Sequence, residues 1–420
     1  MSRFAWARSF DWRRRRCCAT NHRRGVRRFW LIPVLLSVAA CAPLARYDTA
    51  GELAGQRVET RVDSPAAAYY LTSYLPGRHD DAALSERITA TLREIDPAPQ
   101  NRAGLEALTQ AQSTDLATIH FIARVYQDAA NRRLQDRYHE YLERLTNAPQ
   151  ESIGAADEDF TGYKLVFVPG YAYRNNPTNG ADFRRQRELL TRLGFDPILL
   201  ATEELGTVEV NAAIVAAELA KLAVRDERLI VISASKGGPE VAMALSALQD
   251  DPALERIKAW ISVGGLLRGS PYADRFLSGI KRWVARFVLK RRGQPPDIMD
   301  NLSTVVRRPA FDELSLPSGL LVMHYVAAPL SGHVAEATRG RYRVLRRQGP
   351  NDGLTLLADE LTASGLVVTA VGLDHYFRAP DIDLRTVALT YAVLDELRQR
   401  ELARSQVLTS LRAEHAIGVE

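Results

Sequence analysis

The chain reads as an α/β protein: a mostly parallel central sheet flanked by helices, with an inserted cap and an N-terminal helical layer. Three observations predict this. From Tyr163 to about residue 404, short apolar runs of strand length alternate with amphipathic stretches of helical length. Those runs are apolar at consecutive positions, as strands buried on both faces are. The composition supplies the core: 420 residues, 46% hydrophobic and 25% charged. That mixture excludes a wholly disordered chain, a collagen-like fibre and a knottin-like scaffold.

The first segment, residues 1–40, reads as an export signal. Arg23, Arg24, Arg27 and Arg28 precede an apolar stretch, Phe29–Ala40, which ends in Val38-Ala39-Ala40-Cys41. A basic region, an apolar region and small residues before a cut are the physical layout of a signal peptide. The cysteine at the cut resembles a bacterial lipobox. That resemblance implies lipidation of Cys41 as the mature N-terminus, and Ala42 after it suits an outer-membrane destination facing the periplasm. The long basic region is what initiation near Val26 would leave behind, and Arg27-Arg28-Phe29 is a faint twin-arginine pattern. The formal charge of +5 belongs to this segment, since ten arginines and one aspartate lie in residues 1–40 and the remainder is near −4. The basic balance is therefore no sign of a nucleic-acid partner. Cys17 and Cys18 also lie in the leader, so the body holds no thiol beyond Cys41, and neither an internal disulfide nor a cysteine metal site is expected. No apolar run reaches the length of a membrane-spanning helix.

Residues 41–64 are mixed, polar and poorly periodic, and read as a tether. Residues 65–155 read as a helical region. Ser64 is an N-cap and Pro65 opens a helix through Ala66–Tyr74. A second helix fits Ala82–Ile95. The longest periodic run, Thr114–Leu145, carries Leu116, Ile119, Ile122, Val125 and Leu134 on one stripe. With no metal spacing, glycine-rich loop or repeat, the region reads as a layer packed on the main domain.

The main domain spans 156–405. Strands are expected at Leu165–Val168, Pro197–Ala201, Leu229–Ser233, Ile257–Val263, Leu320–Val326 and Val367–Val371. Helices are expected at Phe183–Leu193, Val208–Leu222, Gly237–Leu248 and from Asp383 to about Arg404. More than fifty residues separate Val263 from Leu320, too many for a plain connection, so a cap is expected at about 270–318. Residues 406–420 read as a polar tail.

The chemistry is carried by Leu229-Ile230-Val231-Ile232-Ser233-Ala234-Ser235-Lys236-Gly237-Gly238. An apolar strand runs straight into a small-x-Ser-x-Gly turn and then a helix. Such a turn lifts the Ser235 hydroxyl above the sheet edge and aims the following amides at one point. On its own, the same turn also describes a tight strand-to-helix connection without chemistry. Ser233 occupies the position where the pattern usually has glycine, which adds crowding. Val168-Pro169-Gly170-Tyr171 ends an earlier strand, and the N–H groups of Tyr171 and Lys236 are the candidate oxyanion donors. A serine nucleophile needs a base. His375 follows the last strand and is the first choice, with His333 in a loop as its rival; His324, inside a strand, reads as a core residue. Asp352, in Asn351-Asp352-Gly353, is the candidate carboxylate that orients the base.

The order Ser235, Asp352, His375 and the blocks around it resemble the α/β-hydrolase superfamily, most closely bacterial serine lipases and esterases. Gly264-Gly265-Leu266-Leu267-Arg268-Gly269-Ser270-Pro271-Tyr272-Ala273-Asp274 resembles the family's G-T-P-H-R-G-S-x-x-A-D segment, with Leu266-Leu267 in place of Pro-His. Asn351-Asp352-Gly353-Leu354 resembles its acid turn. The resemblance covers roughly 163–400 and implies an α/β-hydrolase fold and serine ester hydrolysis. It carries over no calcium site, because Tyr376 stands where the calcium-binding versions have aspartate. No cofactor is expected, since neither a Walker A nor a strand-associated G-x-G-x-x-G occurs.

One further segment bears on partners. In Ile280–Arg292, Ile280, Trp283, Val284, Phe287 and Val288 fit one helical face and cations gather around it. The pattern fits an interfacial helix that meets lipid, and equally a cap helix whose apolar face covers the hydrolase core. The expected function is a lipid-anchored envelope hydrolase of carboxylic esters. Acyl transfer would use the same triad, and a non-catalytic envelope scaffold that kept the fold is the alternative of a different class.

Overall fold

The computed structural model describes residues 43–147, 160, 162–174, 180–224 and 228–417, with side chains to residue 406. Cys41 and the leader lie outside the described residues. Where the sequence suggests a tether, the chain instead forms an antiparallel hairpin of β1 (Tyr47–Leu53) and β2 (Gln56–Val62). Its alternation places only Thr49, Leu53, Val58 and Val62 fully inside, so the segment shows too few apolar residues to announce two strands.

Ser64 caps α1 (Pro65–Tyr69), accepting from the Ala67 N–H at 3.1 Å. A π-helical turn, Tyr70–Tyr74, prolongs it. Next come α2 (Ala82–Ile95), α3 (Arg102–Ala111), α4 (Thr114–Gln127) and α5 (Ala129–Asn147). The single run expected over 114–145 is two helices. The break is at Asp128, whose backbone is extended and whose carboxylate accepts the Ala130 and Asn131 N–H groups at the start of α5. An aspartate that caps a new helix competes with helix continuation.

The main domain begins with β3 (Tyr163–Val168), α6 (Arg184–Arg192), the two-residue β4 (Ile198–Leu199) and α7 (Val208–Ala223). β5 (Arg228–Ala234), α8 (Gly237–Ala247) and β6 (Ile257–Val263) follow. The cap holds α9 (Pro271–Asp274), α10 (Gly279–Arg291), α11 (Ile298–Asn301) and α12 (Thr304–Asp312). The chain re-enters the sheet as β7 (Leu321–Ala328), then runs through α13 (Glu336–Leu345), β8 (Leu366–Val371) and α14 (Ile382–Ile417). α14 continues through most of the segment expected to be a polar tail.

The six strands lie in the order β4-β3-β5-β6-β7-β8, every pair parallel. This is the α/β-hydrolase arrangement that the motif order implies. Consecutive apolar residues serve opposite faces. Leu165, Phe167, Ile230 and Ile232 pack with α5, α6 and α14, while Val166, Val168, Leu229 and Val231 pack with α7 and α8. A third cluster joins the hairpin, α1 and α4 to Val326, Ala328 and Val367 of the last two strands. Parallel strands bring all their carboxyl ends to one edge, and that edge carries the site.

Candidate active site

β5 is apolar because it is central, and it must turn abruptly into α8. The turn forces Ser235 into the left-handed region, φ 52°, an unfavourable conformation for a residue with a Cβ that persists only where its surroundings enforce it. Three glycines make room. A Cβ on Gly237 would stand 2.9 Å from the carbonyl oxygens of Val168 and Pro169, and one on Gly238 would stand 2.9 Å from Gly265 Cα. A Cβ on Gly170 would lie 3.6 Å from Ser235 Cβ, which places the Pro169-Gly170-Tyr171 turn beside the serine. Backbone bonds finish the clamp: Ser235 N–H donates to Val263 O and Leu266 N–H to Ser235 O, both at 3.0 Å.

Ser233 is fully buried, and its hydroxyl accepts the Trp260 indole N–H at 2.9 Å. The unusual residue of the elbow is thus the partner that a buried tryptophan needs. Lys236 turns its side chain away from Ser235. Its ammonium donates to Gly206 O at 3.0 Å and pairs with Glu240, whose carboxylate also accepts from Asn211 Nδ2 at 2.8 Å. Burial pushes the Glu240 carboxyl up to about 7 despite the opposing pull of Lys236. Sequence reasoning did not find Glu240 and Asn211, because nothing local marks a glutamate in an apolar helix as the partner of a lysine one turn earlier.

The three residues selected from sequence come together. Ser235 Oγ lies 3.0 Å from His375 Nε2, and His375 Nδ1 lies 2.5 Å from Asp352 Oδ2. Asp352 is fully buried, and its other oxygen accepts the N–H groups of Leu354 and Thr355, each at 2.7 Å. The backbone repeats the link, with His375 N–H donating to Asp352 O at 2.9 Å. The segment after β6 holds the acid turn in place: Thr355 Oγ1 donates to Gly269 O at 2.7 Å and Ser270 Oγ to Leu354 O at 2.5 Å. Leu266 and Leu267, which stand where Pro-His is usual, are buried, and the same segment still reaches both Ser235 and the turn that carries Asp352.

The other histidines fall elsewhere. His333 packs its ring against Gly372, where an added Cβ would meet it at 3.5 Å, and His375 occupies the position beside the serine. His324 is a core residue, bonded to Thr362 Oγ1 at 2.8 Å and pushed down to about 3 by burial. Tyr171 and Lys236 flank Ser235 from two separate turns. The neighbours of the Tyr171 amide are committed, Gly170 N–H to Ala181 O and Ala172 N–H to Glu204 O. Among the described residues, no group of three or more His, Cys, Asp or Glu is placed to hold a metal ion.

Comparison with protein families and with curated proteins finds no match. Solved structures resemble the chain in part. A metagenomic carboxyl esterase is 23% identical with a TM-score of 0.46, over 61% of this chain and 80% of its own. A Bacillus licheniformis lipase in its mature form is 20% identical with a TM-score of 0.43, over 57% and 93%. Phospholipase PlaB from Legionella pneumophila is 14% identical with a TM-score of 0.32, over 47% and 45%. At this degree of likeness they assign no activity, which is read from the residues themselves.

Proposed function

We propose that the protein is a serine hydrolase of carboxylic esters. The observation that carries this reading is the unbroken hydrogen-bonded line Ser235–His375–Asp352, with the serine held on a strained turn. His375 Nε2 takes the hydroxyl proton as Ser235 Oγ bonds to the ester carbonyl carbon. The negative charge that develops on the carbonyl oxygen faces the amides of Tyr171 and Lys236. His375 then delivers the proton to the leaving alkoxide as the ester C–O bond breaks. Water, deprotonated by the same imidazole, cleaves the acyl-serine and restores the hydroxyl. Asp352 Oδ2 faces His375 Nδ1 and fixes the tautomer in which Nδ1 carries the proton. We place the protein in the bacterial envelope, tethered through a lipidated Cys41 and facing the periplasm. The support is the arrangement of Arg27-Arg28, the apolar stretch to Ala40 and the cysteine after it.

Labelling with a fluorophosphonate, followed by mass-spectrometric mapping, tests the nucleophile. A single adduct on Ser235 is expected. Ser235→Ala is expected to abolish labelling and to lower ester turnover by about 10³-fold or more, with the fold intact by circular dichroism. An unlabelled but folded protein, or full turnover in Ser235→Ala, would sink the assignment.

A further inference from the structure

The helix α10 (Gly279–Arg291) contains no buried residue. Its apolar side chains point away from the hydrolase core: Ile280 is 81% exposed and Trp283 68%, with Val284, Phe287 and Val288 also exposed. The reading in which this face covers the core is therefore wrong for this molecule. At about 100° per residue, these five positions occupy one sector of the helix. Arg282 and Arg286 fall on the opposite sector and attach the helix to its own cap, Arg282 to Asp300 at 3.4 Å and Arg286 to Asp297 and Asp300. Lys281 and Lys290 flank the apolar sector on its two sides, and Arg291 and Arg292 crowd its C-terminal end. These four cations make no ion pair among the described residues. Trp283 and Phe287 stack at 5.8 Å, and the Arg291 guanidinium lies 5.0 Å from the Phe287 ring.

We infer that the outward face of α10 docks the protein onto an anionic lipid surface. An exposed apolar strip with an aromatic pair, bordered by cations that make no ion pair among the described residues and lacking any acid in its own sequence, matches a bilayer interface: the rings enter the acyl boundary while the cations meet phosphate groups. Charge decides between occupants. A second copy of α10 would set the same cations against each other, whereas anionic headgroups neutralise them. The docked face adjoins the candidate site. Gln294, just past the end of α10, accepts the Tyr171 hydroxyl hydrogen bond, and Tyr171 lies on the turn beside Ser235. Docking would therefore hold the mouth of the site near the lipid surface. The inference does not depend on Ser235 being a nucleophile, and the test reads no turnover.

The test is hydrogen–deuterium exchange of the full chain carrying Cys41→Ser, so that no acyl chain tethers it. Spectra are compared without lipid, with phosphatidylcholine vesicles, and with vesicles containing about 30% phosphatidylglycerol. Exchange across 279–291 is expected to slow about tenfold or more with the anionic vesicles, and far less with phosphatidylcholine alone. Lys281→Glu/Lys290→Glu and Trp283→Ser/Phe287→Ser are each expected to remove the protection. All four side chains are at the surface, so folding is preserved. Unchanged exchange over 279–291 with anionic vesicles would overturn the inference. Protection that appears without lipid and grows with protein concentration would overturn it too, and would assign the face to a second copy.

Discussion

Lys236 shows how one residue serves two ends of the same turn. Its amide follows Ser235, while its side chain is locked in a buried pair with Glu240. Removing one member of such a pair leaves the other charge buried without compensation. Lys236→Ala is expected to lower stability by about 3–5 kcal/mol in denaturant unfolding. Lys236→Met/Glu240→Met is expected to recover most of that loss, because neither charge then remains inside. A single variant as stable as the native chain would show that the pair contributes nothing. Ser233 carries a related lesson. From sequence it is an extra atom in a crowded elbow; in the fold its hydroxyl accepts the Trp260 indole N–H. The identities of Ser235, Asp352 and His375 were legible because each sits at a strand end with a local pattern around it. Glu240 and Asn211 were not, because their role exists only through contacts between separate segments.

At the scale of elements, the helical layer has a definite task. β8 is the last strand of the sheet, and a bare edge exposes unpaired backbone groups. α5 lies along it. Asn131 Oδ1 accepts the Val367 N–H at 2.8 Å, and Gln135 Oε1 accepts the Thr369 N–H at 2.8 Å. Two side chains one helical turn apart thus stand in for a seventh strand. Gln135→Ala leaves a buried N–H without an acceptor and is expected to lower stability by about 1–3 kcal/mol, read as a shifted unfolding midpoint. No shift would mean that α5 does not seal the edge through Gln135. The sequence showed the stripe of α4 and α5 but not which strand it meets. It also hid the hairpin β1–β2, whose polar faces read as a tether, and it left the outward orientation of α10 undecided.

At the scale of the whole molecule, buried carboxyls set the response to pH. Asp115 joins three parts of the chain, accepting from Asp63 N–H at 2.6 Å and from Ser331 N–H and Oγ at 2.9 and 3.1 Å. Burial, and secondly the Asp63 charge, push its carboxyl up to about 8. Burial also raises Glu240, to about 7, and Glu360, whose neighbours Asp352 and Asp359 add to the effect. In the unfolded chain such groups ionise near 4. Buried histidines shift the other way, His324 to about 3 and His120 to about 4, and offset this below about pH 6.5. Between about pH 6.5 and 8 the folded chain holds carboxyl protons that the unfolded chain has released, and stability falls as pH rises through that window. The thermal midpoint is expected to be lower at about pH 8 than at about pH 6.5. Asp63→Asn, which removes the second cause of the Asp115 shift, is expected to flatten the slope. A midpoint independent of pH in the native chain would contradict the assignment.

The sequence by itself determined the sheet, its flanking helices, and the three residues that form the serine–histidine–carboxylate line. These follow from patterns local to the chain: consecutive apolar runs, a strand broken by small residues, an Asp-Gly turn and a histidine after the last strand. Only the tertiary structure decided the rest. Whether His333 or His375 meets the serine, what Lys236 and Ser233 are for, which edge α5 covers and which way α10 faces all depend on where distant segments come to lie. A side chain's partner is fixed by packing across the chain, and packing leaves no periodic trace in the order of residues.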